Sequence, residues 1–194
     1  MSAPVSWSQI LDGMVEKLRP IFRSASPPVG AYLRQLDWYA GEFASREALG
    51  SSGISDRCPA VLVDLISERV IRTMAGGRIQ FVESTMGAVC AADSMRSLQD
   101  RQSSALDRVL YDVRARLHGE RLGLSIQPLH YAGLGLVAKE PGLFAYVARF
   151  TVRHHTDLSA SSSGLARLER FDGAVHQVGG SASAPLVTDL PEDP

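Results

Sequence analysis

The stretch from Phe144 to His154 constrains the fold more than any other part of the chain. Phe144, Tyr146, Ala148, Phe150 and Val152 alternate there with Val147, Arg149, Thr151 and Arg153. A period of two is a strand with one apolar face, and that face needs an apolar cover. Two helical stripes can supply it. In Trp7 to about Arg19, Ile10, Leu11, Met14, Val15 and Leu18 share one side of a helix, with Ser6 as N-cap and Pro20 as stop. Gly13 weakens this helix slightly. From about Arg101 to Leu117, Leu106, Val109, Leu110, Val113 and Leu117 form a second stripe, ended by Gly119 and Gly123.

The remaining strands are read from shorter signals. Pro59 opens Ala60 to Val63, an apolar run that predicts a central strand covered on both faces. Asp64 to Gly77 fits a strand running into a Gly76-Gly77 hairpin turn, and fits a short helix almost as well. The strand is favoured because Arg78 to Ala91 then becomes its partner, with Ile79, Phe81, Val89 and Ala91 on one face and Cys90 near its end. Leu33 to Trp38 and Leu124 to Tyr131 are read as further strands. Ser24 to Pro28 and Tyr39 to Glu42 are read as turns, Ser45 to Arg57 as a loop, and Ala132 to Gly142 as a glycine-rich connection.

The expected architecture is α+β: a mostly antiparallel β-sheet with two amphipathic helices packed on one face, plus an extended C-terminal arm. The folded domain spans 1–156. The arm, 157–194, holds a serine-rich linker from Ser159 to Gly164 and a small hairpin at 168–178 around Asp172-Gly173.

Of 194 residues, 45% are hydrophobic and 21% charged, which excludes a wholly disordered or collagen-like chain. No apolar run approaches the ~20 residues of a membrane helix, and Met1 to Ser6 does not read as a secretory signal. Two cysteines, Cys58 and Cys90, make no disulfide framework. A reduced, soluble, intracellular protein is expected. The net charge of −1 creates no overall field for nucleic acid, and neither sequence-specific nucleic-acid binding nor membrane association is expected. Residues 157–194 carry six acidic and two basic side chains, a net −4 that leaves +3 for 1–156.

Candidate chemistry is sparse. His154-His155 is tempting as a metal or proton-transfer pair, but neighbours on a strand point to opposite faces, and surface histidines on a sheet rim are the favoured reading. No serine lies in a GxSxG elbow. Cys58 and Cys90 read as small core residues, and Gly76-Gly77 and Gly133-Leu134-Gly135 lack the features of phosphate loops. Asp64, Glu68 and Glu83 lie on or beside predicted strands without a paired lysine. Arg101, Arg108, Arg114, Arg116 and Arg121 are interleaved with Asp100, Asp107, Asp112 and Glu120, the pattern of a salt-bridged helix face. No catalytic, cofactor-binding or metal-ligating residue is assigned. A protein acting through its surfaces, not an enzyme, is expected.

The order of elements and several segments resemble the tail-terminator family of Mu-like contractile-tailed phages and prophages. The resemblance is carried by Ile10-Leu11-Asp12-Gly13-Met14-Val15-Glu16-Lys17-Leu18, Tyr39-Ala40-Gly41-Glu42-Phe43 and Cys58-Pro59-Ala60-Val61-Leu62-Val63. Leu106 to Gly119 and Phe144 to Arg153 complete it, over roughly residues 8–156.

That resemblance implies a virion structural protein at the tail–neck junction, made in the host cytoplasm. Its copies would form a ring, commonly a homohexamer, that caps the tail tube, ends polymerisation and offers the head-joining surface. Implied partners are the tail tube protein, the sheath protein and neck or head-completion proteins, with no cofactor. Subunit contacts are expected near Trp38, Tyr39, Arg149 and Arg153, and the C-terminal arm is expected on a neighbour. Alternatives are a neck or head-completion connector, or a small metal-dependent hydrolase or nuclease centred on the carboxylates from Asp64 to Glu83.

Overall fold

A computed structural model describes residues 3–23, 30–41, 57–74, 77–93, 106–140 and 143–157. Helix α1 (Trp7–Leu18) runs into a 3-10 turn (Arg19–Ile21) and then strand β1 (Gln35–Trp38). Strands β2 (Ala60–Thr73) and β3 (Ile79–Ala92) form a hairpin. Helix α2 (Leu106–Leu117) precedes β4 (His130–Glu140) and β5 (Leu143–Asp157). The α+β architecture expected from the pattern is the one observed. The turns at 24–28 and around Gly76 and 141–142, most of the 45–57 loop, residues 101–105 and the arm beyond Asp157 lie outside the described residues.

Local chemistry explains where α1 begins. The Ser6 hydroxyl accepts from the Gln9 amide at 3.3 Å, and the Ser6 amide donates to Gln9 Oε1 at 2.9 Å, a reciprocal cap on two otherwise unpaired donors. Pro20 falls inside the 3-10 turn that ends it. Gly13, which looked like a weakness, marks a close approach: a Cβ there would lie 2.8 Å from Leu122 Cβ. Gly13→Ala should therefore destabilise the protein by about 1–3 kcal/mol through overpacking, although alanine favours an isolated helix by about 1 kcal/mol. Urea denaturation reads the sign directly, and a stabilised variant would mean that α1 and the 122–124 turn do not touch.

The five strands are ordered β1-β2-β3-β5-β4. β1 and β2 run parallel, which needs a long crossover, and the chain between Trp38 and Ala60 has that length. The other three pairs are antiparallel. Ile10, Leu11, Met14 and Leu18 of α1 and Leu106, Val109, Val113 and Leu117 of α2 pack on one sheet face. They meet Val61, Val63, Met86, Ala88, Cys90, Ala148, Phe150 and Val152. A smaller cluster on the other face joins Ala60, Leu62, Val89, Ala91, Ala145 and Val147 with Cys58 and Leu143. Ala60 to Val63 is thus buried on both faces, as its unbroken apolar run required.

The fourth strand differs from expectation. Leu124 to Leu129 is irregular, and the glycine-rich segment is the strand, β4. The two glycines serve different ends: Gly133 takes a positive φ of 136° at a register shift, whereas a Cβ on Gly135 would come 3.1 Å from Arg149 Nη2 and 3.3 Å from Val147 Cγ1. β1 is also shorter than predicted, beginning at Gln35, with Leu33 making only an isolated bridge to Phe22.

Candidate functional site: two sheet edges and a buried polar junction

The sheet ends in two unlike open edges. β1 covers β2 only as far as Val63, where Trp38 is its last partner. Beyond that point β2 stays paired with β3, but among the described residues no strand covers its other edge, and Ile66 to Thr73 is exposed throughout. The opposite side is treated differently. Past the end of β4, the Gln127 amide donates to Arg153 O at 2.9 Å and the Val5 amide to His155 O at 2.7 Å, so β5 is kept covered.

Exposed large apolar side chains follow these edges. Among the described residues they are Ile66, Val70 and Ile71 on the free part of β2, and Leu134, Leu136 and Tyr111 on β4 and the neighbouring face of α2. Exposure runs from 38% for Ile66 to 72% for Tyr111. Tyr111 borders a shallow hollow of about 200 Å³ shared with Arg114, Ala115 and His118. Arg114 lies over the Tyr131 ring at 4.6 Å, and the Tyr131 amide donates to His118 Nδ1 at 3.2 Å, tying α2 to β4. Exposed aromatic and arginine side chains on α2, with exposed leucines on β4, have the composition of a protein-contact surface.

The four expected contact residues do not form one patch. Trp38 packs against the helix-side core, its ring 5.7 Å from that of Trp7. Tyr39 is half-buried against the smaller cluster, and its amide donates to Val63 O at 2.8 Å. Arg149 and Arg153 are exposed on the face away from the helices. Arg153 Nε donates to Glu83 Oε2 at 2.7 Å, and Arg69 reaches the other oxygen at 2.7 Å, which holds the Glu83 carboxyl below its ordinary range. Pattern reading missed Leu134 and Leu136 because their segment read as a loop. It missed Ile66, Val70 and Ile71 because the end of β1 is what exposes them.

The carboxylates fall on different faces. Asp64 and Glu83 face away from the helices, whereas Glu68 pairs in register with Ser84 on the helix side. Burial pushes the Asp64 carboxyl up to about 6. Among the described residues, no group of three or more His, Cys, Asp or Glu is placed to hold a metal ion. Cys58 and Cys90 are buried, and burial pushes both thiols up, Cys58 to about 12. On α2, Arg108 sits 3.8 Å from Asp112, whose other contact is a 2.7 Å hydrogen bond from the Tyr32 hydroxyl.

The placement of His154 differs from the expected one. The side chain is not on the rim but 1% exposed, while His155 stacks on Phe81 at 5.1 Å. The Ser84 hydroxyl donates to Glu68 Oε2 at 3.0 Å and lies 2.9 Å from His154 Nε2. With its one proton given to the carboxylate, Ser84 must accept from Nε2–H, and because the buried Nδ1 has no partner to take a second N–H, the neutral Nε2–H tautomer is the form that fits. Burial lowers the His154 pKa, against the pull of Glu68 at 4.0 Å. A depressed histidine contributes stability above its unfolded pKa of about 6.5 that is lost as pH falls below it. Asp64, with a raised pKa, works in the opposite direction over about pH 4–6. Melting curves from pH 7.5 to 5 should therefore lose less stability in His154→Gln than in the native chain. Equal slopes would contradict a neutral buried His154.

No helix among the described residues is long and apolar enough to cross a membrane. No family model and no curated protein match this chain.

Proposed function

We propose that this chain is an architectural subunit that self-associates head to tail into a ring. The ring caps a contractile-phage tail tube, ends its polymerisation and presents the head-joining surface. The observation that carries the reading is the distribution of exposed large apolar side chains among the described residues: Ile66, Val70 and Ile71 lie on β2 beyond the end of β1, Leu134 and Leu136 on β4 at the opposite side of the sheet, and Tyr111 on α2. Exposed apolar side chains along an open strand edge mark candidate contact sites. Two different surfaces on opposite edges suit a heterologous contact, and heterologous contacts that close make rings. The α+β fold agrees with what the family resemblance implies. On this reading the mechanism is steric, blocking one surface and supplying another.

Electron microscopy of tails assembled without this protein tests the role. Overlong or ragged tubes lacking heads are expected. Tails of normal length that fail to join heads would point instead to a neck connector, and normal tails fully joined to heads would refute both roles.

A further inference from the structure

We propose that Arg149 of one copy pairs with Asp64 of the next, and that this ion pair sets the register of the head-to-tail contact; the inference rests on the ring reading above. Alternation along β2 and β5 places both side chains on the sheet face away from the helices. The register puts them level: Asp64 lies opposite Gly87, Gly87 opposite Arg149, and Arg149 opposite Gly133.

Within one molecule the two are kept apart. Ile66 Cδ1 and Val147 Cγ2 lie 2.9 and 3.0 Å from where a Cβ on Gly87 would sit, so apolar groups close the space midway between them. Arg149 Nη2 lies over Gly135, carrying the guanidinium towards the β4 edge and away from Asp64. At the other edge, Asp64 is the first β2 residue beyond the last partner of β1. Neither group belongs to an ion pair among the described residues.

A half-buried carboxylate without a cation is costly in an isolated chain, and its raised pKa expresses that cost. An arginine brought by a neighbour removes the penalty. Because donor and acceptor edges carry these charges at one level along the strands, successive copies are related without a shift along them. A head-to-tail contact closes into a ring when the rotation between copies closes the circle and winds into an open filament when it does not. Arginine is suited to such a half-buried contact because its planar fork binds a carboxylate through two hydrogen bonds.

The test uses the full chain and reads assembly by sedimentation velocity. Arg149→Glu and Asp64→Lys should each raise the concentration for half-assembly by roughly a hundredfold through like-charge opposition. An equimolar mixture of the two should recover rings, because every contact then joins opposite charges in an alternating, even-numbered circle. Asp64→Asn guards against a folding artefact: at pH 7.5, and at a concentration where both chains are dissociated, it should melt at or above the native temperature while assembling about tenfold more weakly. Native assembly that is indifferent to all three substitutions sinks the pairing and leaves the ring reading intact. A mixture of folded variants that stays dissociated also sinks the pairing. A native chain that never assembles sinks the ring itself.

Discussion

Replacing Leu136 with glutamate should leave the monomer folded and abolish its self-association, raising the concentration for half-assembly by about a hundredfold or more. Leu136 is 59% exposed on the edge strand β4, so the substitution disturbs little inside the molecule. Exposed positions of this kind change stability by about 0.5 kcal/mol or less. In the assembled contact the same carboxylate would lose water among apolar groups without a cation, which is strongly unfavourable.

Ile71→Glu, on the other patch, should have the same effect alone. The pair becomes diagnostic when mixed. A head-to-tail contact uses one patch from each partner, so the intact β2 edge of Leu136→Glu can receive the intact β4 edge of Ile71→Glu. The mixture should give heterodimers and nothing larger in sedimentation velocity. Unchanged native-size assemblies in either single variant would remove that patch from the contact.

The second large effect concerns the scaffold that holds these edges apart. Phe150 is fully buried on the helix-facing side of β5, with the Tyr131 ring edge-on at 5.8 Å. Phe150→Ala should cost about 3–5 kcal/mol, the lost transfer of a phenyl ring plus the cavity left behind. That is a large share of a typical domain's 5–15 kcal/mol, so the variant should show a much lower urea midpoint. A loss below about 1 kcal/mol would mean that the helices do not seal this face.

Much of the scaffold is legible in the sequence because its periods are undisturbed. Phe144 to Val152 keeps strict alternation, and β5 pairs with β3 without a register shift. The stripes of α1 and α2 reach the core through the residues that the 3.6 period selects. β4 escaped notice for two physical reasons. Register shifts between Tyr131 and Gly133 and between Leu136 and Ala138 break its period, and its glycines serve a positive-φ position (Gly133) and the β5 side chains beside Gly135 rather than a turn.

The candidate contact surface was harder to see. Arg149 stands out in the sequence as an arginine on the polar side of a strand. Its proposed partner Asp64 is related to it only through pairing across three strands. His154 was readable as facing opposite to His155, but its burial depends on neighbours far along the chain, Val5 among them, whose amide binds His155 O. Trp38 and Tyr39 were conspicuous as aromatics, and the structure uses both in packing.

The central claim is that this chain works as a closed ring of identical copies. Native mass spectrometry of the full-length chain at neutral pH tests it most directly. The predicted result is one dominant species at a fixed multiple of 20.9 kDa, about six copies, that Leu136→Glu reduces to monomer. A native chain that remains at 20.9 kDa at every concentration, or a two-fold dimer that ignores Leu136→Glu, would contradict it.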